Sequence, residues 1–434
     1  MGTGKRGTKR RLSAGTKAML VMLALVLVGS ALVLGRLSSG ASVDLSRLKM
    51  NVLDIRDEQG GKNAADPKTE DPKTEAKVTA APSAKKETTV KTGGSFMMTI
   101  GGSISLSGEV RKNSQSTDAK VADYADVMML LSSRIIGDIK IAFLENILSD
   151  RYKTGDAVAP ASAVVVLKEA GFNMAACGFA QAYANGKTGV EDTLETLRAS
   201  GIDAAGICED DGGKPALQSI KGVKTAVLQY TDTMSAKTRK SMVSDGTSEM
   251  VPEAEIGKIT QDIAGAREAG AEAVIILLNW GRTGKEPDRN QRELAENIAK
   301  AGADLIVGNG SHIPQAAEYL TGKNGKSVLC VWSLGTLLSG DRSNIKRLSG
   351  YLLHVTVKSD GQGGAAILDP AYTPVYTWKY KQDGRYYYRC IAADGDAPDG
   401  MDNEQRKTME KAAETVDSVL SDSSLAGTGQ NNAD

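Results

Sequence analysis

The sequence predicts an α/β fold whose strands form a buried, largely β-α-repeating sheet. The first observation is a series of strongly apolar runs of strand length, at residues 95–101, 138–144, 172–178, 224–230, 272–280, 304–310 and 326–335. The second is that intervening segments place apolar residues at helical spacing and close on glycine, at 191–200, 251–270 and 288–302. Strands that are apolar throughout and alternate with helices are typical of a sheet covered on both faces.

After Gly350 the helical pattern stops, and short strands are predicted to close one edge of the sheet. These runs are YLLHVTVKS, AAILDPAY, VYTWKYK and RYYYRCI. The tyrosine run 386–388 is more typical of an edge-strand surface than of a sugar-binding platform. Residues 401–420 predict a last amphipathic helix.

Composition excludes several broad classes of protein. The 434 residues are 41% apolar and 24% charged, and 53 basic residues balance 53 acidic ones. A net charge of zero gives no global electrostatic case for nucleic acid as a partner. The four cysteines contain no CxxC pair, which argues against a zinc knuckle or a thioredoxin-type motif. They are predicted to be mostly buried thiols, with one oxidised pair as the alternative.

The N-terminal segment predicts a membrane anchor. Residues 1–17 are basic without an acid, and residues 18–35 carry no charge. Eighteen helical residues span about 27 Å, close to the hydrocarbon thickness of a bilayer. We therefore expect a cytoplasmic tail at 1–17 and a transmembrane helix at 18–36, with the rest outside the cytoplasm. A signal peptide cleaved near residues 29–31 is the alternative.

The remaining boundaries follow from composition. Residues 37–94 are polar, contain a repeated DPKTE, and predict a disordered linker. Residues 95–395 form the predicted folded domain. Residues 396–434 are expected to hold the last helix and a disordered tail.

Ligands in such sheets gather where strands end and loops begin. Four strand ends here carry polar residues, at 100–104, 143–150, 277–284 and 308–315. We therefore expect five residues to line one cleft: Glu145, Asn279, Trp280, Asn309 and His312.

Six segments follow one another in a recognisable order. They are IGGSI (100–104), FLEN (143–146), residues 176–202, LNWG (278–281), GADLIVGNGSHIPQ (302–315) and VWSLGTLLSG (331–340). Their order and spacing resemble the capsule-synthesis protein family of CapA type, which is linked to poly-γ-glutamate biosynthesis. The resemblance covers about residues 95–392. It implies the fold of the calcineurin-like metallophosphoesterases, a layered α/β/β/α sandwich.

The sequence departs from this family where the metal ligands are expected. The family's first strand ends in GD, and the position of that Asp is here Gly102. The ANNH motif has become CGFAQAYANG, without a histidine. Asn279 replaces the histidine of the HWG motif, and the GHHPH-like motif keeps only His312.

These departures predict a site without two metals. A two-metal phosphoesterase centre needs an array of imidazoles and carboxylates to hold two divalent ions. The chain has two histidines, and His354 lies on an alternating strand where a packed or edge role is expected. We therefore expect no resident metal. If one divalent ion is bound, the expected ligands are His312, Glu145 and Asn309.

Two classes of function follow. The first is a membrane-anchored accessory or binding component in the synthesis or export of a capsule or poly-γ-glutamate-type polymer. Its partners would be the anionic polymer or membrane-bound capsule-synthesis proteins. The alternative is an active metal-dependent hydrolase or transferase acting on cell-envelope material. Arg282, Lys285 and Arg289 are a candidate anion-binding group, although a solvated loop and helix start is the favoured explanation.

Overall fold

The computed structural model describes residues 93–106, 108–113, 124–209 and 217–427. The predicted cytoplasmic tail, the anchor at 18–36 and all but the end of the linker lie outside these residues. Among the helices in the described ranges, none combines the length and the apolar character needed to cross a bilayer.

The described part of the chain contains sixteen strands and seven α-helices. The strands are β1 Ser95–Ile104, β2 Ile139–Leu144, β3 Ile147–Leu148, β4 Val158–Ala159, β5 Met174–Ala176, β6 Asp203–Ala205, β7 Leu217–Ile220, β8 Val223–Thr231, β9 Ala273–Asn279, β10 Leu305–Asn309, β11 Ala317–Thr321, β12 Ser327–Val331, β13 Thr336–Leu338, β14 Ser349–Ser359, β15 Ala365–Gln382 and β16 Arg385–Ala392. The helices are α1 Gly108–Asn113, α2 Val165–Ala170, α3 Gly186–Ala199, α4 Ala236–Asp245, α5 Ile256–Glu268, α6 Arg289–Ala301 and α7 Asn403–Leu420.

Two mixed sheets form the centre of the fold. The first has the order β16-β15-β14-β1-β2-β5-β6, with β13 pairing β1, and the second has the order β11-β12-β10-β9-β8-β7. Strands β1, β2, β5 and β6 are parallel, as are β8, β9, β10 and β12. The carboxyl ends of these parallel strands carry the loops that form the site.

The two sheets pack face to face, and helices cover their outer faces. Ile100 of β1 and Leu277 of β9 belong to the apolar cluster between the sheets. Ile263 of α5 packs with Ile276 on the outer face of the second sheet. Leu167 of α2 belongs to the cluster on the outer face of the first. The α/β/β/α layering implied by the resemblance is therefore confirmed.

Several predicted elements were wrong in their boundaries. Helix α3 begins at Gly186 rather than at residue 191, and β12 ends at Val331 rather than at residue 335. Helix α5 begins at Ile256 rather than at residue 251, because Glu253 forms a β-bridge with Thr231 and keeps the preceding backbone extended.

The two short strands predicted at 365–372 and 375–381 are one strand of 18 residues. Pro374, between them, stays in the sheet because it pairs opposite Tyr351 and its carbonyl accepts from the N–H of Ala393 at 2.8 Å.

The last helix is part of the packed body. Its N-terminus is closed by a capping box between Asp402 and Gln405. Met409 packs against the cluster around Trp378, and Val416 joins the cluster between the sheets. All four cysteines are free, three of them buried.

His354 is half-buried and packed within the first sheet, in agreement with the packed or edge role predicted for it. The hydroxyl of Thr99 donates to the carbonyl of Ile136 at 2.6 Å, so it accepts from Nδ1 of His354 at 2.9 Å. The hydroxyl of Thr373 then donates to Nε2 at 3.1 Å. Burial, together with the charge of Arg134, lowers the pKa of His354 to about 4. The ring is therefore neutral and fully hydrogen-bonded.

This burial predicts a loss of stability in mild acid. In the unfolded chain a histidine takes up its proton near pH 6.5, whereas folded His354 stays neutral until about pH 4. The stabilisation is therefore complete above pH 6.5 and is lost as the pH falls towards 4, by at most about 3 kcal/mol. Urea unfolding across this range should show a shallower pH dependence for His354→Gln than for wild type. Parallel curves for the two proteins would contradict the assignment.

Candidate functional site

A cleft of about 700 Å³ lies where the parallel strands of the two sheets end. The residues that line it include Ser105, Glu109, Glu145, Asp156, Phe179, Gln181, Thr233, Asn279, Thr283, His312, Ser339, Asp341 and Arg347. Three of the five residues predicted from the strand ends are among them, namely Glu145, Asn279 and His312.

Glu145 follows β2 and lies at the centre of a polar network in the cleft. Its Oε1 accepts from the hydroxyl of Ser103 at 2.8 Å and from Nδ2 of Asn279 at 3.3 Å. Its Oε2 lies 3.5 Å from Nε2 of His312. Asn279 is held in turn by Thr233, whose hydroxyl donates to its Oδ1 at 2.8 Å. These side chains come from both sheets, so the network crosses the seam between them.

Asn309 lies beneath this network and is fully buried. Its amide is best oriented with Oδ1 towards the N–H of Ser103 at 3.0 Å and nitrogen towards the carbonyl of Gly335 at 3.1 Å. The opposite orientation would place the amide nitrogen against the N–H of Ser103 and the amide oxygen against the carbonyl oxygen of Gly335. In the first orientation the Ser103 hydroxyl lies 2.6 Å from Oδ1 of Asn309 and 2.8 Å from Oε1 of Glu145, so the two acceptors share its single proton. Asn309 therefore supports the floor of the cleft and does not line it.

Trp280 is the predicted cleft residue that the structure places elsewhere. Only 1% of it is exposed, and its ring stacks on Trp332 with centroids 5.4 Å apart. Its indole N–H donates to the carbonyl of Trp332 at 3.0 Å. Side chains alternate between the two faces at a strand end, so the residue after Asn279 points into the helix layer. Trp280 therefore packs under α6 instead of facing the cleft.

His312 is held in an unusual backbone conformation. Its φ is 56°, and its carbonyl accepts from the Thr336 hydroxyl at 3.2 Å. A non-glycine residue with positive φ is uncommon and is often found at functional sites. This loop presents the imidazole to the cleft beside Glu145.

Arg347 and Asp341 form one wall of the cleft that strand-end reasoning did not find. Nη2 of Arg347 lies 2.8 Å from Oδ2 of Asp341, and its Nη1 donates to the carbonyl of Ser311 at 3.3 Å. Burial alone would raise the pKa of Asp341, but hydrogen bonds from Ser343 and Arg347 outweigh it and lower the pKa. Both residues lie between β13 and β14, outside the apolar runs, so no strand-end signal marks them.

Gly102 is a position where a metal-binding aspartate does not fit. An added Cβ would lie 2.3 Å from the carbonyl oxygen of Gly335 and 2.9 Å from its carbonyl carbon. Both obstacles are backbone atoms of the segment that pairs with β1 through β13. The sequence lacks the family's carboxylate at this position, and the surrounding backbone leaves no room for a side chain there.

The donors present do not fit a two-metal centre. Within the described ranges, no group of three or more His, Cys, Asp or Glu side chains is placed to hold an ion. Oδ1 of Asn279 already accepts from Thr233, and Oε1 of Glu145 accepts from Ser103 and Asn279. Two divalent ions need several anionic and imidazole ligands each.

The charge of the cleft is predominantly negative. Its lining contains the carboxylates of Glu109, Glu145, Asp156 and Asp341, against the single guanidinium of Arg347. Arg347 is already paired with Asp341. The remaining carboxylates disfavour anionic groups in the cleft and favour neutral or cationic ones.

Gln229 joins the two sheets below the cleft. Its Oε1 accepts from the N–H of Gly178, and its Nε2 donates to the carbonyl of the same residue, each at 3.0 Å. Gln229 lies on β8 in the second sheet, whereas Gly178 follows β5 in the first. The side-chain amide of Gln229 thus makes the pair of hydrogen bonds that a neighbouring strand would make to Gly178, and it links the two sheets.

Two curated relatives are capsule proteins. The chain is 26% identical over 209 residues to the capsule biosynthesis protein CapA of Bacillus anthracis, covering 48% of this chain and 48% of that protein. It is 26% identical over 204 residues to the PGA biosynthesis protein CapA of Bacillus subtilis strain 168, covering 46% and 51%. The chain therefore spans about half the length of the curated relatives it matches.

Solved structures with a similar arrangement include two from other bacteria. One is a putative 5'-nucleotidase from Staphylococcus aureus, with a TM-score of 0.36, 9% identity, and coverage of 74% of this chain and 59% of that one. The other is the calcineurin-like phosphoesterase YfkN from Bacillus subtilis, with a TM-score of 0.35, 11% identity, and coverage of 75% and 99%.

The family model named bacterial capsule synthesis protein PGA_cap matches residues 97–341. This range includes the strand ends that carry Ser103, Glu145, Asn279 and His312, and it covers more than half of the chain. The chain belongs to the PGA_cap family of bacterial capsule synthesis proteins.

Proposed function

We propose that this protein is an accessory component in the synthesis or export of a capsule polymer of the poly-γ-glutamate type, and that it works without a two-metal centre. Family membership and the names of the two relatives support the connection to capsule synthesis. The uncharged run at 18–35 supports anchoring in the membrane, with the domain outside the cytoplasm. The anionic polymer is the proposed partner.

The observation that carries this proposal is the closed position at Gly102. Phosphoesterase chemistry with two metals depends on carboxylates and imidazoles converging on both ions. Here backbone atoms of Gly335 occupy the space that a side chain at 102 would need. Asn279 and Asn309, which stand at two other family ligand positions, serve the hydrogen-bond network instead.

The alternative is a hydrolase or transferase that uses one metal ion. The observation that favours it is the proximity of Nε2 of His312 to Oε2 of Glu145, at 3.5 Å. Two ligands at this separation are close enough to share one ion at ligand distances of about 2 Å. The two proposals differ in metal content and turnover.

Metal content and hydrolysis together separate the two functions. We expect the purified full-length protein to contain well below one equivalent of Mn, Fe or Zn. Hydrolysis of bis-p-nitrophenyl phosphate in the presence of added metal should match that of His312→Ala. Near-stoichiometric metal, with turnover lost in His312→Ala but kept in His354→Gln, would establish the one-metal enzyme instead.

The connection to the capsule has its own test. Cells that lack the chromosomal copy should lose surface polymer, and a plasmid copy of the chain should restore it. An unchanged amount of surface polymer in the deletion strain would contradict the accessory function.

A further inference from the structure

The hairpin formed by β15 and β16 projects beyond the sheet. Strand β15 pairs with β14 only as far as Tyr376, which lies opposite Ser349. Its pairing with β16 continues to Gln382, which lies opposite Arg385. We call residues 379–388 the ribbon. Among the described strands, β15 has no partner other than β16 in this segment.

One face of the ribbon combines lysines with an exposed aromatic ring. Nζ of Lys379 lies 4.2 Å from the ring centroid of Tyr386, and Nζ of Lys381 lies 5.8 Å from the same centroid. Tyr386 is 44% exposed. In the part of the chain that the structure describes, no ion pair neutralises either lysine. Both ammonium groups thus keep hydrogen-bond donors for a ligand.

The other face of the ribbon is structural. Trp378, Tyr380 and Tyr387 stack in series, with centroid distances of 4.3 and 5.4 Å. Trp378 is anchored to the last helix, since its indole N–H donates to Oε1 of Gln405 at 3.1 Å. Arg389 is paired with Asp126 at 3.0 Å. The stack anchors this face to the last helix, whereas on the opposite face Lys381 and Tyr386 are exposed and Lys379 is half-buried.

We propose that the lysine face of the ribbon, formed by Lys379, Lys381 and Tyr386, binds an extended polymer that carries one carboxylate on each repeat. This inference rests on the proposed function and names the surface that contacts the polymer. The ribbon contains three cations and one carboxylate, whereas carboxylates dominate the cleft. A polyanion therefore meets attraction at the ribbon and repulsion at the cleft.

The spacing on the ribbon suits a regular polyanion. Lys379 and Lys381 lie on the same face of one strand, so their Cα atoms are about 7 Å apart. A γ-linked glutamate repeat has five backbone bonds and is about 6 Å long when extended, which is close to the spacing of the lysines. An odd number of bonds places successive carboxylates on opposite sides of a fully extended chain, so a rotation about the flexible methylene bonds is needed to turn them to the same side. Adjacent carboxylates can then each meet one ammonium, and the apolar methylenes between them can lie on the ring of Tyr386.

The loop after β9 is a weaker candidate for the same ligand. Its cations, Arg282 and Lys285, are interleaved with the carboxylates of Glu286 and Asp288. Arg289 at its end is paired with Glu293 at 2.7 Å. The loop also borders the acidic cleft, so its local field favours anions less than that of the ribbon.

Binding of fluorescein-labelled poly-γ-glutamate to the full-length protein in detergent tests this assignment. In the double variant Lys379→Gln/Lys381→Gln we expect affinity at low salt to fall at least tenfold, with a weaker dependence on salt concentration. Lys237→Gln/Lys240→Gln removes two exposed lysines from α4 and serves as the matched control. Its affinity should stay within twofold of wild type.

The other outcomes separate this inference from the proposed function. If wild type binds the polymer but the ribbon variant binds equally well, the ribbon assignment is wrong and the accessory function stands. If only Arg282→Gln/Lys285→Gln lowers the affinity for the polymer, the contact lies on the loop after β9 and the ribbon assignment is wrong. If wild type does not bind the polymer at all, polymer contact as part of the proposed function fails. If the ribbon variant loses affinity for vesicles of anionic lipid as strongly as it loses affinity for the polymer, the ligand is a membrane surface and the polymer is rejected.

Discussion

Replacing Gly102 with aspartate is expected to abolish the folded protein and not to restore a metal site. The new Cβ would lie 2.3 Å from the carbonyl oxygen of Gly335, where neither backbone segment can move without breaking the β1–β13 pairing. Overpacking of a rigid site typically costs about 1–3 kcal/mol, and a buried carboxylate without partners costs several kcal/mol more. Soluble yield and urea unfolding of the purified variant measure the loss.

Gly155→Asp is the matched control for this substitution. No atom lies within 4 Å of a Cβ at Gly155, and its φ is not positive. We expect its stability to stay within about 0.5 kcal/mol of wild type. A folded Gly102→Asp protein that binds manganese or zinc with one or two equivalents would show that the site retains the geometry of a metal centre.

Asp304→Asn is expected to cost about 2–3 kcal/mol of unfolding free energy, because it removes the charge of a buried carboxylate that binds two partly exposed cations. Oδ2 of Asp304 lies 2.6 Å from Nη2 of Arg267 and accepts from the N–H of Val274 at 2.7 Å, and Oδ1 faces Lys326 at 2.5 Å. Asp304 is 2% exposed, whereas the side chains of Arg267 and Lys326 are 30% and 39% exposed, so both cations would lose a counter-ion but keep contact with water. Urea unfolding at neutral pH measures the change.

The same substitution should weaken the cleft, since Asp304 fixes the start of β10 against β9. These strands end in Asn309 and Asn279, which pair in register. The control is Glu293→Gln, which removes one carboxylate from an exposed pair with Arg289 on α6. Such exposed pairs contribute less than about 1 kcal/mol. A cost for Asp304→Asn no larger than that of the control would show that the buried network is dispensable.

Most of the sheet could be predicted because the inner strands are apolar throughout. The run 272–280 contains β9 with an error of one residue at each end, and 304–310 contains β10 equally closely. The errors arose where a tertiary contact overrides the local pattern. The bridge between Glu253 and Thr231 delays α5, and the pairing of Pro374 with Tyr351 and Ala393 carries β15 past that proline. Neither contact is visible in the sequence.

The candidate site was predictable only where its residues follow parallel strands. Glu145, Asn279 and His312 were found in this way, and the structure brings all three to one cleft. Trp280 was misplaced because an apolar run buried on both faces hides which side each residue takes. Arg347 and its ion pair with Asp341 were missed because they lie on the loop between β13 and β14. This loop reaches the cleft through tertiary folding, which the sequence pattern does not show.

The double hydrogen bond between Gln229 and Gly178 has a consequence for how the cleft meets its ligand. These two hydrogen bonds join the sheet that carries Glu145 to the sheet that carries Asn279, and they are shielded from water. Hinge closure of one half over the other would have to break both bonds and disturb the apolar cluster between the sheets. We therefore expect the mouth of the cleft to keep its width when a ligand binds.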